Sequence, residues 1–225
     1  MKNKKIKAFD FYNCFMLISP TGQKASNLKE FLNIIEESED RVVFHHLYQS
    51  PFKHEFKAIE YPNDFAQWAA ASLEDMALAE KFANFDPYDF NNVGEAKIAV
   101  MEIIEEHLWD LVTIPWVRPG FEFYFSSSTT IIFRNEMSAS NLDEFYDCIK
   151  QAPLGSIYYH FYESRKRNND KEKDDFSSWL KEELGEIEVA SELVEIDFYF
   201  YSLIEAKEKI LSIIKQRLKN YEQIK

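Results

Sequence analysis

The sequence contains little glycine, with only 5 in 225 residues. A loop that wraps a phosphate group needs several glycines close together, because only glycine lets the backbone approach the ligand in the required conformations. The patterns G-x-x-x-x-G-K-[ST], G-x-G-x-x-G, H-E-x-x-H and G-x-S-x-G do not occur. The sequence therefore disfavours the commonest nucleotide-dependent enzymes, and no motif implies a cofactor.

Cysteine is also scarce. The two cysteines, Cys14 and Cys148, have no metal-ligand spacing, and the sequence contains neither a tandem C-x-x-C pattern nor a Cys–His dyad. We expect both to be reduced thiols in or near the interior, which is typical of proteins in a cytosol. The sequence thus predicts a cytoplasmic protein.

No run of about 18 apolar residues occurs, so we expect no membrane-spanning helix. The start, MKNKKIKAFDFYNCFMLISP, is similar to a secretory leader in its lysines and its apolar stretch. Asp10 and Asn13 interrupt that stretch, however, and no small-residue cleavage site follows. Its alternating FDF pattern predicts a strand instead.

Positive charge is in the minority, with 26 Lys and Arg against 39 Asp and Glu, so the net charge is −13. Such a surface repels nucleic acid and anionic membranes, and we expect neither as a partner. What the sequence has in abundance is aromatic residues, at 16%. We therefore predict a core built largely from aromatic rings.

The chain repeats itself. Residues 9–50 align with residues 123–164 under a shift of 114 positions, without a gap, and thirteen of the forty-two pairs are identical. Ordinary composition would give roughly two or three identities by chance. The identical pairs include Phe31 with Phe145 and His46 with His160. We infer a tandem duplication.

The alignment continues to the end of the chain with two changes of length. The segment 51–62 is matched by the shorter 165–173, both predicted as loops, and NDFAQW at 63–68 then matches DDFSSW at 174–179. The segment TIPWVRPG contains two prolines and a glycine, which are typical of a linker. We predict a first repeat over 1–114, a linker over 115–120 and a second repeat over 121–225, packed as one globular body with pseudo-two-fold symmetry.

Each repeat predicts one opening strand followed by helices. Asn27 and Glu30, like their equivalents in the second repeat, have the spacing of a capping box before the first helix. The stretches 42–50 and 156–164 are compatible with strand or helix, and we favour helix, with Asp40 and Ser156 as caps. The predicted fold class is mostly α, or α+β with few short strands.

Further signals predict the rest of each repeat. Asp64 and Asp175 are predicted to cap the helices that carry Trp68 and Trp179. Gly185 and its equivalent Glu74 predict a bend before a short helix. Asp86-Pro87 and Asp197 are predicted to start long amphipathic helices that end near Leu111 and Tyr221.

Taken as a set, these motifs resemble a known family. The set comprises A-x-x-L-x-E-F, S-I-Y-Y-H, N/D-D-F-x-x-W and an E-A-K helix, and it covers residues 9 to about 218. It resembles domain-of-unknown-function family 5752, which is prokaryotic and uncharacterised. The resemblance implies a soluble bacterial or archaeal protein, and it carries over no catalytic residue.

Two histidines and two aspartates are the candidate chemical residues. His46 and His160 occupy equivalent positions, and with Asp64 and Asp175 they form either a metal or an acid–base site at the repeat interface, or two buried structural pairs. We favour the structural interpretation, because residues retained in both repeats are what shared packing requires. His45 aligns with Tyr159 of the second repeat, so it would mark a site that had specialised in one repeat.

Candidate ligand-binding residues are aromatic or basic. Trp68, Trp179, Tyr48 and Tyr162 could stack on a ligand, but a tryptophan just inside a helix more commonly anchors that helix to the core. Arg165 and Arg167 belong to the basic cluster RKR, which occurs in the second repeat alone. That cluster is a phosphate clamp or, as we favour, a solvated loop edge beside the acids that follow it.

The sequence thus predicts a non-catalytic binding or regulatory module. Its partner is either a small ligand, of which a sugar-like molecule is one option, or another protein. The alternative is a metal-assisted hydrolase that uses His46, His160, Asp64 and Asp175. The residues leave the ligand, the oligomeric state and the openness of the repeat interface undetermined.

Overall fold

The computed structural model describes residues 6–53, 60–168, 170, 172–199 and 201–224. It is mostly helical, with two strands that form an antiparallel two-stranded sheet. The strands are β1 (Phe9–Ala25) and β2 (Phe123–Ala139). The helices between them are α1 (Leu28–Glu37), α2 (Asp40–Tyr48), α3 (Ser50–Lys53), α4 (Asp64–Ala71), α5 (Met76–Ala83) and α6 (Val93–Asp110).

The helices after β2 follow a similar order but include two segments with π-helical hydrogen bonding, Tyr158–Glu163 and Leu180–Leu184. The α-helices are α7 (Leu142–Gln151), α8 (Leu154–Ile157), α9 (Ser164–Arg167), α10 (Asp175–Trp179), α11 (Ile187–Val194) and α12 (Leu203–Ile224). No helix in the described part of the chain is long and apolar enough to cross a membrane.

The combination of helix and strand is confirmed, but the prediction of short strands is wrong. Each strand has 17 residues, and only its first residues alternate between buried and exposed. Phe9 and Phe11 are buried at the start of β1, as are Phe123 and Phe125 in β2. The later residues of both strands are largely exposed, so the sequence has no apolar alternation there that would predict a strand.

The capping box is confirmed in α1. The Asn27 side chain accepts a hydrogen bond from the Glu30 backbone N–H at 2.9 Å, and the Glu30 carboxylate accepts one from the Ser26 N–H at 2.8 Å. At the start of α7, Asn141 accepts from the Glu144 N–H at 2.9 Å and the Glu144 carboxylate accepts from the Ser140 N–H at 2.7 Å. Backbone donors that have no partner within a helix are thereby satisfied at its first turn.

The stretches 42–50 and 156–164 are helical, as favoured, but their predicted caps are wrong. Glu39 precedes α2, and its side chain forms no cap. Ser156 lies within α8, where its hydroxyl donates to the Tyr12 carbonyl at 2.7 Å. The hydroxyl is therefore used to join a helix to β1.

The caps of α4 and α10 lie one residue earlier than predicted. Asn63 accepts from the Ala66 N–H, and Asp174 accepts from the Ser177 N–H, both at 2.9 Å. Asp64 and Asp175 are the first residues of these helices. Their carboxylates are consequently available for other partners.

The predicted loops 51–62 and 165–173 begin as helix. Helix α3 extends to Lys53 and α9 extends to Arg167, while residues 54–59, 169 and 171 lie outside the described residues. Ser164, the first residue of α9, is buried and donates its hydroxyl to the His160 carbonyl one turn earlier.

The predicted bends are present at equivalent positions. Glu74 has φ of 56° and Gly185 has φ of 72°, so both are in the left-handed region. Glycine adopts that region freely, whereas a glutamate does so at a cost.

The starts of the long helices differ from the prediction. Asp86 caps a 3-10 turn over Pro87–Asp89, and α6 begins only at Val93, where Asn92 accepts from the Glu95 N–H. The helix after Asp197 begins at Leu203 and continues to Ile224. The Asp-Pro signal is therefore real, but it starts the turn that precedes the helix.

The chain forms two compact units, and each strand divides between them. What we call the first unit contains residues 16–53 and 60–130, and the second unit contains residues 6–15 and 131–224, within the described part of the chain. The helices α1–α6 therefore pack with the start of β2, and α7–α12 pack with the start of β1.

Aromatic rings centre the core of each unit. In the first unit, Phe31 of α1 contacts Phe123 and Phe125, with ring centroids 5.0 and 5.2 Å apart. In the second unit, Phe145 of α7 contacts Phe9 and Phe11 at 5.5 and 5.8 Å. Such ring pairs contribute about 0.5–1.5 kcal/mol each beyond the area they bury.

Candidate functional site

His46 joins three elements of the first unit. Its Nδ1 lies 2.6 Å from Asp64 Oδ2 at the start of α4, and its Nε2 accepts a hydrogen bond of 3.0 Å from the Ser126 backbone N–H in β2. A backbone N–H can only donate, so Nε2 must be unprotonated and Nδ1 must carry the hydrogen that Asp64 accepts. The ring is therefore fixed in one neutral tautomer.

His160 makes the same contacts in the second unit. Its Nδ1 lies 2.8 Å from Asp175 Oδ2, and its Nε2 accepts from the Tyr12 N–H of β1 at 2.8 Å. Burial lowers the pKa of His160 and outweighs the opposing effect of the hydrogen bond that the ring donates to Asp175. The imidazole is therefore neutral under neutral conditions.

These contacts bear directly on the predicted metal or acid–base site. Each histidine meets the aspartate that was paired with it, but the two pairs belong to different units. Both nitrogens of each ring are engaged, and a metal ligand needs a nitrogen lone pair directed at the metal. Within the described ranges, no group of three or more His, Cys, Asp and Glu side chains could hold a metal ion. The geometry favours the structural interpretation.

Trp68 and Trp179 lie in the cores rather than in an open cleft. Trp68 stacks on Phe31 with centroids 5.0 Å apart, and its Nε1 donates to the Phe121 carbonyl at 3.1 Å. Trp179 lies 5.0 Å from Phe145, and its Nε1 donates to the Lys7 carbonyl at 2.7 Å. Both rings therefore anchor their helices to the chain segment beside the strand.

Tyr48 and Tyr162 are also engaged internally. The Tyr48 hydroxyl donates to the Pro87 carbonyl at 2.6 Å, and the Tyr162 hydroxyl donates to the Tyr201 carbonyl at 3.1 Å. Burial raises the pKa of both phenols. These side chains hold the turns that precede α6 and α12.

Arg165 contradicts the interpretation of the basic cluster as a solvated loop edge. Its side chain is 1% exposed, lies 3.3 Å from the buried Asp174 carboxylate, and donates through Nε to the Phe161 carbonyl. Its guanidinium also lies 4.7 Å from the centres of the Phe161 and Phe198 rings. Burial raises the pKa of Asp174, and Arg165 opposes that shift. Arg165 is thus held in the interior by a carboxylate, a carbonyl and two aromatic rings.

Arg167 connects the second histidine pair to the surface. It donates to Glu163 at 2.8 Å and to Asp175 at 2.5 Å, and it lies 4.4 Å from the centre of the Tyr159 ring. Burial raises the pKa of Glu163. These carboxylates neutralise the guanidinium, so this cation too is held within the protein.

His45, the histidine found in the first repeat alone, takes part in a buried polar network. Its Nδ1 lies 2.9 Å from Gln49 Oε1, which also accepts from the Ser128 hydroxyl. Gln49 Nε2 donates to the Thr130 hydroxyl at 3.2 Å. The network joins α2 to β2, and His45 is only 2% exposed.

A polar pocket of about 450 Å³ lies in the second unit, and its lining contains none of the residues predicted as a site. It is formed by α10, the π-helical segment Leu180–Leu184 and α11, together with Asp170, Glu172 and Lys173. Its lining from these helices and from Glu195, which follows α11, includes hydroxyl, carboxylate and ammonium groups: Ser178, Lys181, Glu182, Ser191 and Glu195.

Comparison with known proteins places the chain in a family. The model of the family of unknown function DUF5752 matches residues 6–215. The chain belongs to the DUF5752 family. Among solved structures, the DUF5752 chain is similar to OrfY from Thermoproteus tenax, with 27% identity, a TM-score of 0.74, and 95% of this chain and 97% of that one covered. No curated protein matches it.

The pocket of this DUF5752 protein was missed by sequence reasoning, although a signal for it exists. Under the repeat alignment, Lys181 and Glu182 correspond to Ala70 and Ala71 of the first repeat. Polar residues that replace alanines in one repeat are the kind of asymmetry that specialisation produces.

Proposed function

We propose that the chain is a non-catalytic binding module that takes a small, uncharged, sugar-like ligand in the pocket of the second unit. The observation that carries the proposal is the lining of that pocket, which combines hydroxyl, carboxylate and ammonium groups around about 450 Å³. A cavity of this size is within the usual range for small-molecule sites.

The charges around the pocket favour an uncharged polyol over an anion. Lys173 and Lys181 contribute two positive charges, and the carboxylates contribute four negative charges, from Asp170, Glu172, Glu182 and Glu195. A sugar phosphate would meet a net negative surface, whereas neighbouring hydroxyls of a sugar can both donate to carboxylates and accept from ammonium groups.

The first repeat supplies a contrast that supports specialisation. Ala70 and Ala71 stand where the pocket has Lys181 and Glu182, and the corresponding part of α4 is a regular α-helix. In the second unit this segment has π-helical hydrogen bonding. Such segments are rare and occur frequently at functional sites.

Tandem duplication is the evolutionary part of the proposal. It is supported by the thirteen identical pairs and by the recurrence of individual contacts, such as the histidine that joins a strand N–H to an aspartate in each unit. Duplication into two repeats, 1–114 and 121–225, in a pseudo-two-fold arrangement is the simplest explanation for that recurrence. We propose that the second copy later acquired the pocket.

A metal-assisted hydrolase remains the rival, and it makes a different prediction. It requires His46 and His160 to bind a metal, although the Nε2 atom of each accepts a backbone hydrogen bond. Metal analysis of the purified protein separates the two ideas. A stoichiometric transition metal that is lost on His46→Ala or His160→Ala would establish the rival.

Calorimetric titration with neutral mono- and disaccharides, alongside their phosphates, tests the pocket. We expect a neutral sugar to bind and the Lys181→Ala and Ser191→Ala variants to weaken binding at least tenfold. Glu80→Ala changes the position on α5 that corresponds to Ser191, and it should leave binding unchanged. Binding that survives both pocket substitutions, or no binding by any sugar in the panel, would refute the proposal.

A further inference from the structure

The end of α6 presents an apolar surface in the first unit that the proposed function does not use. Trp109 is 89% exposed and Val112 is 99% exposed. Glu105, Leu108, Trp109 and Leu111 line a shallow depression of about 540 Å³ there. We call these four residues together with Val112 the α6 face. Tryptophan is a residue that dominates binding energy at protein interfaces, so its near-complete exposure is informative.

The charges beside the α6 face are unfavourable for the isolated helix. Glu105, Glu106 and Asp110 lie in the last two turns of α6, where the helix dipole favours positive charge. The basic residue of the last turn is His107, and it is buried against Asp75 with Nε2 2.7 Å from a carboxylate oxygen. A cation arriving from outside would relieve this concentration of negative charge.

The equivalent helix of the second unit lacks both features. Under the repeat alignment, Lys215 stands in place of Glu105, Lys219 in place of Trp109, and Asn220 in place of Asp110. Lysines near a helix end are favourable for the dipole and for solvation. Shared folding requirements therefore do not explain the aromatic and acidic character of the α6 face.

We propose that the α6 face binds a basic amphipathic helix of another protein, with apolar residues on Trp109 and Leu108 and lysines or arginines beside Glu105 and Asp110. A helix that contacts exposed apolar side chains and has complementary charges beside them is a recurrent mode of recognition. The charge identifies the partner, because the face is acidic and a second copy of this chain, at −13, would be repelled overall.

A peptide pair tests the proposal directly. The probe is a synthetic 18-residue peptide of leucine and lysine with leucine on one face, and its control has glutamate in place of lysine. In a Trp116→Phe background, Trp109 is the strongly exposed tryptophan, since Trp68 and Trp179 are 5% and 7% exposed. We expect the lysine peptide to shift the tryptophan emission to shorter wavelength and the glutamate peptide to leave it unchanged.

Variants then separate the face from general attraction to an acidic protein. Trp109→Ala and Glu105→Lys, measured by calorimetry, should each weaken binding of the lysine peptide at least tenfold. Glu208→Lys makes the same charge change on an exposed residue of α12, and it should weaken binding less than twofold.

Three results would overturn the proposal. The glutamate peptide could bind as tightly as the lysine peptide, or Glu208→Lys could weaken binding as much as Glu105→Lys does. Sedimentation could also show self-association that Trp109→Ala abolishes, and the occupant would then be a second copy, with Lys215 and Lys219 as the natural contact to test by charge reversal.

Discussion

The His160 contacts make a quantitative prediction for His160→Phe. A phenyl ring keeps most of the packing against Phe9, whose ring centre lies 4.9 Å from the imidazole, but it cannot accept the Tyr12 N–H. A partly buried donor left without an acceptor costs about 1–3 kcal/mol. Asp175 retains Arg167 as a partner, so the loss of its hydrogen bond with His160 adds little to this cost. We expect the unfolding free energy of the second unit to fall by about 2 kcal/mol.

Acid should have a related effect on the unsubstituted protein. The folded state lowers the pKa of His160 below its ordinary value of 6.5, so the unfolded chain binds a proton more readily than the folded chain does. The stability from a neutral His160 is complete above pH 6.5 and is lost as the pH falls below it. This one group contributes at most about 1.4 kcal/mol per pH unit.

Hydrogen exchange at the Tyr12 amide, together with urea unfolding at several pH values, measures both effects. His160→Gln can still accept from Tyr12 and donate to Asp175, so it should lose less stability than the phenylalanine variant and should not show the acid dependence of this group. His46→Phe is the matched change in the first unit and should expose the Ser126 amide instead. Unchanged Tyr12 exchange in His160→Phe would refute the reasoning.

Other local features give further predictions. Glu74→Gly should raise the unfolding free energy, measured by urea titration, by about 0.5–1 kcal/mol, since the residue has positive φ. Gly185→Ala should lower it by a similar amount. An unfolding free energy that does not rise in Glu74→Gly would contradict this reasoning. Gly155→Ala should lower the unfolding free energy by at least about 2 kcal/mol in the same assay, because its Cβ would lie 2.1 Å from the Cys14 carbonyl oxygen. An unchanged free energy would argue against that close approach. Burial raises the pKa of the Cys14 thiol to about 12, so a disulfide reagent should modify Cys148 before Cys14. Equal modification rates at the two cysteines would count against the burial of Cys14.

The parts of the fold that the sequence predicts well depend on neighbouring residues. Asn27 and Glu30 cap α1 as their spacing indicates, and Gly185 marks a left-handed bend that the aligned Glu74 shares. Asp86 and Pro87 do not start α6, because the same local signal starts a 3-10 turn and Asn92 then caps the helix. Local pattern indicates that a helix is near, but two candidate caps within six residues leave its start undetermined.

Features that depend on distant contacts were not predictable. An arginine followed by acids is usually exposed, and Arg165 is buried because Asp174 and two phenylalanine rings surround it in the folded state. His46 meets Asp64 and His160 meets Asp175, and an aspartate of the following helix is one of the partners that sequence position suggests. The strand amides that complete them could not be inferred, because each comes from the other half of the sequence.

That exchange of opening strands determines what a truncated chain could do. A fragment that stops at the 115–120 linker would keep α1–α6 but lack Phe123 and Phe125, the rings that fill the centre of those helices. We therefore expect neither half to fold alone, and we expect two such fragments expressed together to recover the helical circular dichroism that each lacks by itself. The linker between the two halves therefore keeps each strand start at hand for the helices of the other half.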